Sequence, residues 1–202
     1  MRKFKRIQAK DFEPHPDDAA AVRLLGGKYK HALYKLTPKG KVWAFTIDHV
    51  SDPDAPTFLQ LPNLIELNVA NLLKRDTGFT PNGFQIICSH PNIQAYQDQN
   101  NNRLGDEAAS IVGHNKRLRW VHFGGCGITD AGVRSICNAT QLLKLSIFDN
   151  NITDKCVQDL LNLTNLRRLN VRNTKITIPA MLKLQNELPR CTIDALLPKN
   201  TG

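Results

Sequence analysis

The chain has 202 residues, of which 41% are hydrophobic and 22% are charged, as in an ordinary soluble globular protein. This length permits a sizeable core without disulfides or metal, and no segment approaches the roughly 18–20 uncharged apolar residues of a membrane-spanning helix. Lys and Arg outnumber Asp and Glu by 27 to 18, a formal net charge of +9. Such a charge suits nucleic acid, anionic lipid or an acidic protein face, but basic proteins are also common in the mitochondrial matrix without any anionic ligand.

The first predicted element is an N-terminal helix over residues 16–25. The segment opens with Pro-Asp-Asp, continues with good helix formers, and is followed by Gly26 and Gly27, which we interpret as its C-terminal stop. The adjacent acids at its start favour the positive end of the helix dipole. Residues 28–40 are predicted to link this helix to the first strand of a repeat array. The basic start, residues 1–6, is not followed by the apolar region of a secretory signal.

Three C-terminal segments, starting at Leu118, Leu142 and Leu166, superpose without a gap and are 24 residues apart. Each reads L-x-x-L-x-L-x-x-N/C/T-x-I-T, with Val, Ile or Phe replacing some of the later leucines. An internal repeat of this length indicates a solenoid of stacked units. Each unit buries its apolar face against its neighbours.

Upstream copies of the same frame extend the repeat towards the N-terminus. Residues 64–69 and 42–47 match it through the strand, and residues 93–98 form a degraded copy in which Asp98 stands where an apolar residue belongs. The polar segment 97–102 and the loop 73–78 are predicted to be the least regular parts of the chain.

The pattern predicts a short strand followed by a helix in each unit. The apolar residues of L-x-x-L-x-L point inward, and the ninth position turns the chain while its side chain satisfies buried backbone groups. The residues at this ninth position are Asn101, Cys126, Asn150 and Thr174. The Ile-Thr-Asp that follows at 128–130 and 152–154 supplies a helix N-cap, so helices are predicted after residues 128 and 152.

The predicted fold is an α/β right-handed solenoid of about six repeats, with a parallel sheet on the concave face and helices on the convex face. The predicted strands are 42–47, 64–69, 93–98, 118–123, 142–147 and 166–171. A last helix ended by Pro189 and a short edge strand at 191–193 form a C-terminal cap. The predicted divisions are residues 1–40 for the N-terminal helical cap and linker, 41–197 for the repeat domain, and 198–202 for a tail.

The phrase L-x-x-L-x-L-x-x-C/N-x-I-T-D resembles the cysteine-containing class of leucine-rich repeats, which occurs in F-box substrate receptors and many bacterial proteins. The resemblance covers residues 42–193. Residues 16–25, followed by a strand ending at Ile47-Asp48, also resemble the start of the mitochondrial factor B family, which includes ATP synthase subunit s and an assembly factor for the distal membrane arm of complex I. That resemblance implies a basic, matrix-side protein with a helical cap and a few repeats. The chain departs from the family at the polar segment 97–102.

Leucine-rich repeats usually bind through the third, fifth and seventh positions of each strand, which face the concave side. The predicted third-position column is Glu66, Ala95, Trp120, Lys144 and Arg168; the fifth is Asn68, Gln97, His122, Ser146 and Asn170; the seventh is Ala70, Gln99, Gly124, Phe148 and Arg172. Aromatic and arginine side chains in one cluster are typical of binding hot spots. The partner-binding residues predicted here are Trp120, His122, Lys144, Phe148, Arg168 and Arg172. The alternative is that the two aromatics fold against a cap or loop and the arginines are only solvated.

No sequence feature predicts catalysis, a cofactor or a metal. Five cysteines lie singly without a C-x-x-C pair, which predicts reduced, buried thiols rather than a zinc or redox motif. Gly26-Gly27-Lys28 lacks the rest of a phosphate-binding loop, and the six histidines show no ligand spacing. A G-x-S-x-G nucleophile elbow is absent from the sequence. We therefore expect a non-enzymatic protein.

Three functions remain open at this point. The first is a structural or assembly subunit of a mitochondrial membrane complex, ATP synthase or respiratory complex I, on the matrix side and associated with the membrane only through that complex. The second is a mitochondrial ribosome-associated or RNA-linked protein, in which cationic strands contact phosphates; its low aromatic content of 6% argues against base stacking. The third is a ubiquitin-ligase substrate receptor, although residues 1–40 lack the several apolar helices of an F-box. If the protein is not mitochondrial, the expected location is the cytoplasm.

Overall fold

The computed structural model describes residues 7–8, 15–29, 32–69 and 78–195. In these residues the chain forms a nine-stranded sheet whose strands lie side by side in chain order. The strands are β1 (Ile7–Gln8), β2 (Leu33–Leu36), β3 (Val42–Ile47), β4 (Glu66–Val69), β5 (Ala95–Gln99), β6 (Trp120–Gly124), β7 (Lys144–Ser146), β8 (Arg168–Asn170) and β9 (Thr192–Asp194). The pairs from β3 to β9 are parallel, whereas β1–β2 and β2–β3 are antiparallel.

A helical segment follows most of the parallel strands. The α-helices are α1 (Ala19–Lys28), α2 (Ala55–Phe58), α3 (Pro81–Ser89), α4 (Gly105–His114), α5 (Asp130–Ile136), α6 (Val157–Leu160) and α7 (Ile178–Glu187), and 3₁₀ turns at Asp52–Asp54 and Asp154–Cys156 precede α2 and α6. The helices predicted after residues 128 and 152 are confirmed. The predicted loop 73–78, except Gly78, and the predicted tail 198–202 lie outside the described residues.

The register of the sheet confirms the third-position and fifth-position columns from β4 to β8, and in the seventh-position column it pairs Gln99 with Gly124. In the third-position column, Glu66 pairs with Ala95, which pairs with Trp120 on β6. Trp120 pairs with Lys144 on β7, and Lys144 pairs with Arg168 on β8. Several strands begin two residues later than predicted, because the first leucine of each unit closes a tight turn before the strand. The amide of Leu142, for example, donates to the carbonyl of Ala139 at 3.0 Å, and the Leu142 side chain is still fully buried.

The inward positions of the strands and the apolar faces of the helices form one continuous core. Towards the N-terminal end this core contains edge-to-face aromatic rings, among them Phe45 against Phe58 at a centroid distance of 5.5 Å. Four of the five cysteines are buried, as predicted, and burial raises the pKa of Cys88 and of Cys137 to about 12. At neutral pH these thiols are therefore protonated and pack as small apolar side chains.

The ninth-position prediction is confirmed most clearly at Asn150. Its amide nitrogen donates to the carbonyls of Phe123 (2.7 Å), Ile147 (3.0 Å) and Phe148 (3.0 Å). Its side-chain oxygen accepts from the backbone amides of Cys126 (3.1 Å) and Ile128 (2.9 Å). One side chain thus satisfies backbone groups of two neighbouring units.

A second ladder links successive units on the side where the helices begin. In each step the carboxylate of an aspartate accepts from both the amide and the hydroxyl of a threonine in the next unit. The pairs are Asp52–Thr80, Asp106–Thr129, Asp130–Thr153 and Asp154–Thr177, with amide distances of 2.7–2.8 Å. Thr80, Thr129 and Thr153 also cap their own helices, as predicted for the last two. The aspartate of Ile-Thr-Asp therefore connects repeats, a role beyond the predicted capping.

The N-terminal cap differs from the prediction in two ways. Helix α1 runs to Lys28 with its C-cap at Tyr29, so the two glycines predicted as its stop lie within the last turn. At the end of this helix Lys28 and Tyr29 both bind the carboxylate of Asp54, at 2.6 and 2.5 Å. The predicted linker 28–40 also contains β2, which pairs with β3 and extends the sheet.

Asp17 and Asp18 attach the cap to the first parallel strand rather than only starting a helix. Asp18 is fully buried and accepts a 2.7 Å hydrogen bond from the amide of Val42. Asp17 pairs with Lys41 at 2.7 Å, and this contact lowers the pKa of the Asp17 carboxyl. The two acids therefore hold α1 against the start of β3.

Asp98 occupies an inward apolar position of β5, between Val69 and Phe123 in the register. The segment predicted to be irregular from residue 97 is therefore strand as far as Gln99. The side chain of Asp98 is 1% exposed and accepts from the Tyr96 hydroxyl and the Asn101 amide, each at 3.0 Å. Burial raises the pKa of Asp98 to about 7, against the opposing effect of these hydrogen bonds.

We expect Asp98 to make stability fall as pH rises between about 4 and 7. The folded state binds this proton more tightly than the unfolded state, so the contribution is full below pH 4 and is lost as pH rises through 7. The loss is on the order of 2–4 kcal/mol. Urea unfolding at pH 5 and pH 8 measures it, with Asp98→Asn as the comparison, because His90 and His122 titrate in both proteins. Equal pH dependence in the two proteins would contradict this assignment.

Candidate functional site

The predicted binding residues lie on β6, β7 and β8 and in the turns that follow them. We call the sheet face formed by the third, fifth and seventh positions the concave face. The parallel register sets Trp120 beside Lys144, and Lys144 beside Arg168. Because adjacent strands are about 4.8 Å apart, these three third-position side chains form one row across the sheet.

Trp120 and Lys144 contact each other directly. The Lys144 ammonium lies 4.6 Å from the centre of the Trp120 ring, within the distance of a cation–π interaction. Trp120 is half-buried and Lys144 is exposed. No carboxylate of the described residues forms an ion pair with Lys144. Its charge therefore remains available to a partner.

The Phe148 side chain packs on strand β6 and does not point away from the sheet. A side chain at Gly124 would meet the Phe148 ring, since an added Cβ would lie 2.2 Å from the nearest ring atom. The same ring packs edge-to-face on His122 at a centroid distance of 5.3 Å. Gly124 thus makes room for Phe148, and Phe148 in turn fixes the His122 ring. The predicted alternative, in which these aromatics fold against a cap or a loop, does not hold for Phe148.

Arg168 has a partner that the sequence analysis missed. Its Nε and Nη2 atoms both contact one carboxylate oxygen of Asp194, at 2.9 and 2.8 Å. Asp194 lies on β9 and pairs in register with Asn170, so it continues the fifth-position column. Asp194 stands 24 residues after Asn170, so extending the repeat by one more unit would have found it. The predicted edge strand ended at residue 193 and so omitted it.

A pocket of about 250 Å³ opens between these strands on the concave face. Its lining residues are Trp120, His122, Lys144, Leu145, Ser146, Arg168, Asn170 and Asp194. Ser146 is 8% exposed, and its hydroxyl has no hydrogen-bond partner among the described residues. The Nε2 atom of His122 is likewise buried and without a partner there. Burial lowers the pKa of His122, which is therefore neutral at pH 7. The pocket thus contains hydrogen-bonding groups that no described residue satisfies.

The structure brings most of the predicted site residues together. Trp120, His122, Lys144 and Arg168 line the pocket, and Phe148 supports it through His122. Arg172 is exposed and lies outside the pocket lining, two residues beyond Asn170. Ala70, from the seventh-position column, is outside the described residues.

The N-terminal half of the concave face is different because its polar groups bind one another. Glu66 accepts from Gln97 at 3.0 Å and pairs with Lys35 at 3.5 Å. Lys35 also lies 5.3 Å from the centre of the Trp43 ring. Only the C-terminal half therefore combines an unpaired cation with unsatisfied polar atoms, as far as the described residues show.

The described residues contain neither a metal-binding cluster nor a membrane-spanning helix. No group of three or more His, Cys, Asp or Glu side chains there could hold a metal ion. Within the same ranges, no helix has the length and apolar character needed to cross a membrane.

Comparison with known proteins agrees with this geometry. A family model described as Leucine Rich repeat matches residues 114–137, which include β6 and α5. An internalin C2 from Listeria monocytogenes is 16% identical, with a TM-score of 0.52 over 98% of this chain and 92% of that chain. An internalin (inlF) of the same organism is 17% identical, with a TM-score of 0.37 over 71% of this chain and 51% of that chain. A leucine-rich-repeat protein of Leptospira interrogans is 14% identical, with a TM-score of 0.32 over 69% of this chain and 56% of that chain. No curated protein matches the sequence.

The fold is therefore a leucine-rich-repeat solenoid, as the sequence predicts. The repeated strand–helix units, their parallel register and the match over residues 114–137 all support this assignment. At 16% identity, the likeness to the Listeria protein concerns the fold alone. Such a fold is consistent with a scaffold for protein–protein interaction.

Proposed function

We propose that the protein is a non-catalytic interaction scaffold that binds a protein partner through the C-terminal half of its concave face. The observation that carries this proposal is the convergence of Trp120, Lys144 and Arg168 on one pocket with unsatisfied polar groups. A half-buried tryptophan beside cationic side chains has the composition of an interface hot spot. The solenoid holds these groups on rigid strands, which reduces the entropy lost on binding.

The charges of this surface favour an acidic protein over bare nucleic acid. Lys144 and Arg172 are exposed cations, whereas Arg168 is paired with Asp194. Because Arg168 is already paired with Asp194, it offers less positive charge to the phosphate backbone of a nucleic acid than an unpaired arginine would. An acidic, partly apolar protein surface can contact both the Trp120 ring and Lys144.

The finer proposal is that the partner belongs to a mitochondrial membrane complex, ATP synthase or respiratory complex I, on the matrix side of the inner membrane. Its supports are the resemblance of residues 16–25 to the factor B family and the net charge of +9. Association with the membrane is peripheral in this proposal, through the complex. Migration of the native protein on a native gel tests it: co-migration with either complex supports the proposal, and migration with ribosomal particles supports the RNA-linked alternative.

We expect the double variant Trp120→Ala, Arg168→Glu to lose partner association. It removes the aromatic wall of the pocket and places a second carboxylate beside Asp194, whose repulsion adds to the loss of the arginine. Both native side chains are at least partly exposed, so the thermal midpoint should change little. Affinity purification from the native source with identification of the bound proteins measures the effect.

The matched control is Leu182→Ala, Lys183→Glu on α7, which makes the same kinds of change on two exposed residues away from the sheet face. The control should retain the partner. Salt should weaken the interaction only moderately, whereas an RNA complex would lose affinity by orders of magnitude between roughly 50 and 200 mM. Retention of the partner by the Trp120, Arg168 variant would place the interface elsewhere.

A further inference from the structure

The concave pocket contains two polar groups that have no hydrogen-bond partner in the part of the chain that the structure describes. The Ser146 hydroxyl and the His122 Nε2 atom are both buried and unsatisfied, and both residues line the pocket. A buried polar group without a partner destabilises the free protein, so we expect a water molecule or a group of a ligand to supply the missing hydrogen bond. The serine and histidine are neighbours in the sheet register, which sets both groups on one side of the pocket.

The charges around these groups define the sign of the ligand. Lys144 and Arg168 contribute two positive charges and Asp194 contributes one negative charge, while His122 is neutral. The pocket therefore carries a net charge of about +1 at neutral pH. A group with a single negative charge is neutralised there, whereas a phosphate dianion leaves an excess charge beside Asp194.

The size of the pocket also limits the ligand. Its volume of about 250 Å³ is below the roughly 300–1,000 Å³ of typical small-molecule and cofactor sites. One side chain of a partner protein fits this space. The half-buried Trp120 ring provides an apolar wall for the methylene groups of such a side chain.

We propose that this pocket binds the side-chain carboxylate of a single glutamate or aspartate on the partner protein. The Lys144 ammonium, the Ser146 hydroxyl and the N–H of the neutral His122 ring donate to the carboxylate, and charge-assisted hydrogen bonds of this kind are the strong ones. Asp194 holds Arg168 at the side of the pocket and sets the selectivity against doubly charged groups. The inference rests on the proposed function, because it names the group that the scaffold recognises.

NMR titration of the ¹⁵N-labelled full chain tests the proposal. The added ligand is N-acetylglutamate N′-methylamide, which is glutamate blocked at both termini (blocked glutamate). We expect saturable shifts of the Trp120 indole signal and of the His122 and Ser146 amides, with a Kd on the order of 1 mM. Blocked glutamine, which has the same shape without the charge, should give no saturable shift at these signals. Ser146→Ala and Lys144→Gln should each weaken binding by roughly tenfold, since each removes a hydrogen bond to a charged group.

Ser146→Ala also separates a binding role from a structural one. Because the Ser146 hydroxyl bonds to no described residue, its removal should leave the unfolding midpoint unchanged or raised while glutamate binding weakens. Ser135→Ala on α5 is the matched control, since the Ser135 hydroxyl donates to the carbonyl of Ala131 away from the pocket. This control should bind blocked glutamate normally.

Three results would overturn the carboxylate assignment: equal shifts with blocked glutamine, no saturable shift at the pocket signals, or tighter binding of inorganic phosphate. The outcome is distinguishable from failure of the proposed function. If blocked glutamate does not bind but the Trp120, Arg168 variant still loses its partner, the concave interface stands and the pocket assignment is wrong. If blocked glutamate binds but that variant keeps its partner, the pocket stands and the proposed function is wrong.

Discussion

Replacing Asn150 with alanine is expected to lower the free energy of unfolding by roughly 3–5 kcal/mol. The side chain makes five hydrogen bonds to backbone groups of two units, among them the amides of Cys126 and Ile128. Alanine strands these buried groups, and each unsatisfied donor or acceptor costs about 1–3 kcal/mol before water or local relaxation recovers part of the loss. Equilibrium urea unfolding measures the change.

Asn151→Ala is the matched control for this prediction. Asn151 follows Asn150 directly but is exposed, so the same substitution should change stability by less than about 0.5 kcal/mol. If the two variants unfolded at the same urea concentration, the hydrogen bonds of the Asn150 side chain would not stabilise the fold as we infer. If the free energy of unfolding of Asn150→Ala alone depended less steeply on urea concentration, the repeats would instead separate into independently unfolding parts.

The second large effect is expected for Leu145→Ala, at roughly 2–5 kcal/mol. Leu145 is 1% exposed at the centre of β7, where Val121 and Leu169 flank it in the register. Truncation loses its burial and leaves a cavity, because rigid strands on both sides limit collapse. Leu169→Ala, at a fully buried position of the next strand, should have a similar cost.

Leu143→Ala provides the control on the same segment. Leu143 lies two residues before Leu145 and is 41% exposed, so its truncation should cost much less than that of Leu145. Chemical unfolding of the three leucine variants gives the comparison. Equal losses for Leu143 and Leu145 would mean that Leu145 is not the inward-facing residue of β7.

The C-terminal units of the repeat array could be predicted from the sequence because their physical constraints recur every 24 residues. Each unit must place leucines such as Leu145 and Leu169 inward and must satisfy the turn with a residue such as Asn150. Because these requirements recur in the sequence at a fixed spacing, the strand register and the inward positions could be predicted without a structure. Asp98 is the exception inside the array, since its burial depends on Tyr96 and Asn101, and no single-residue pattern contains that network.

The cap and the site geometry were less predictable for a different reason. β2 lies outside the repeat frame and forms by antiparallel pairing with β3, a contact that periodicity does not encode. The side-chain position of Phe148 depends on Gly124, and that of Arg168 depends on Asp194. Gly124 and Asp194 are distant in sequence from these partners, and each lies one residue beyond a predicted strand. The concave columns could therefore be derived from sequence, but the pocket and its unsatisfied groups could not.

Site-specific photo-cross-linking tests the central claim, that the partner binds the C-terminal half of the concave face, most directly. A photoreactive phenylalanine analogue is placed at Asn170, which lines the pocket, or at Gln158, which is exposed on α6. Irradiation of each protein in its native complex should give a covalent adduct with one and the same partner from position 170 and none from position 158. An adduct from position 158 alone would contradict the claim and place the interface on the helical side of the solenoid.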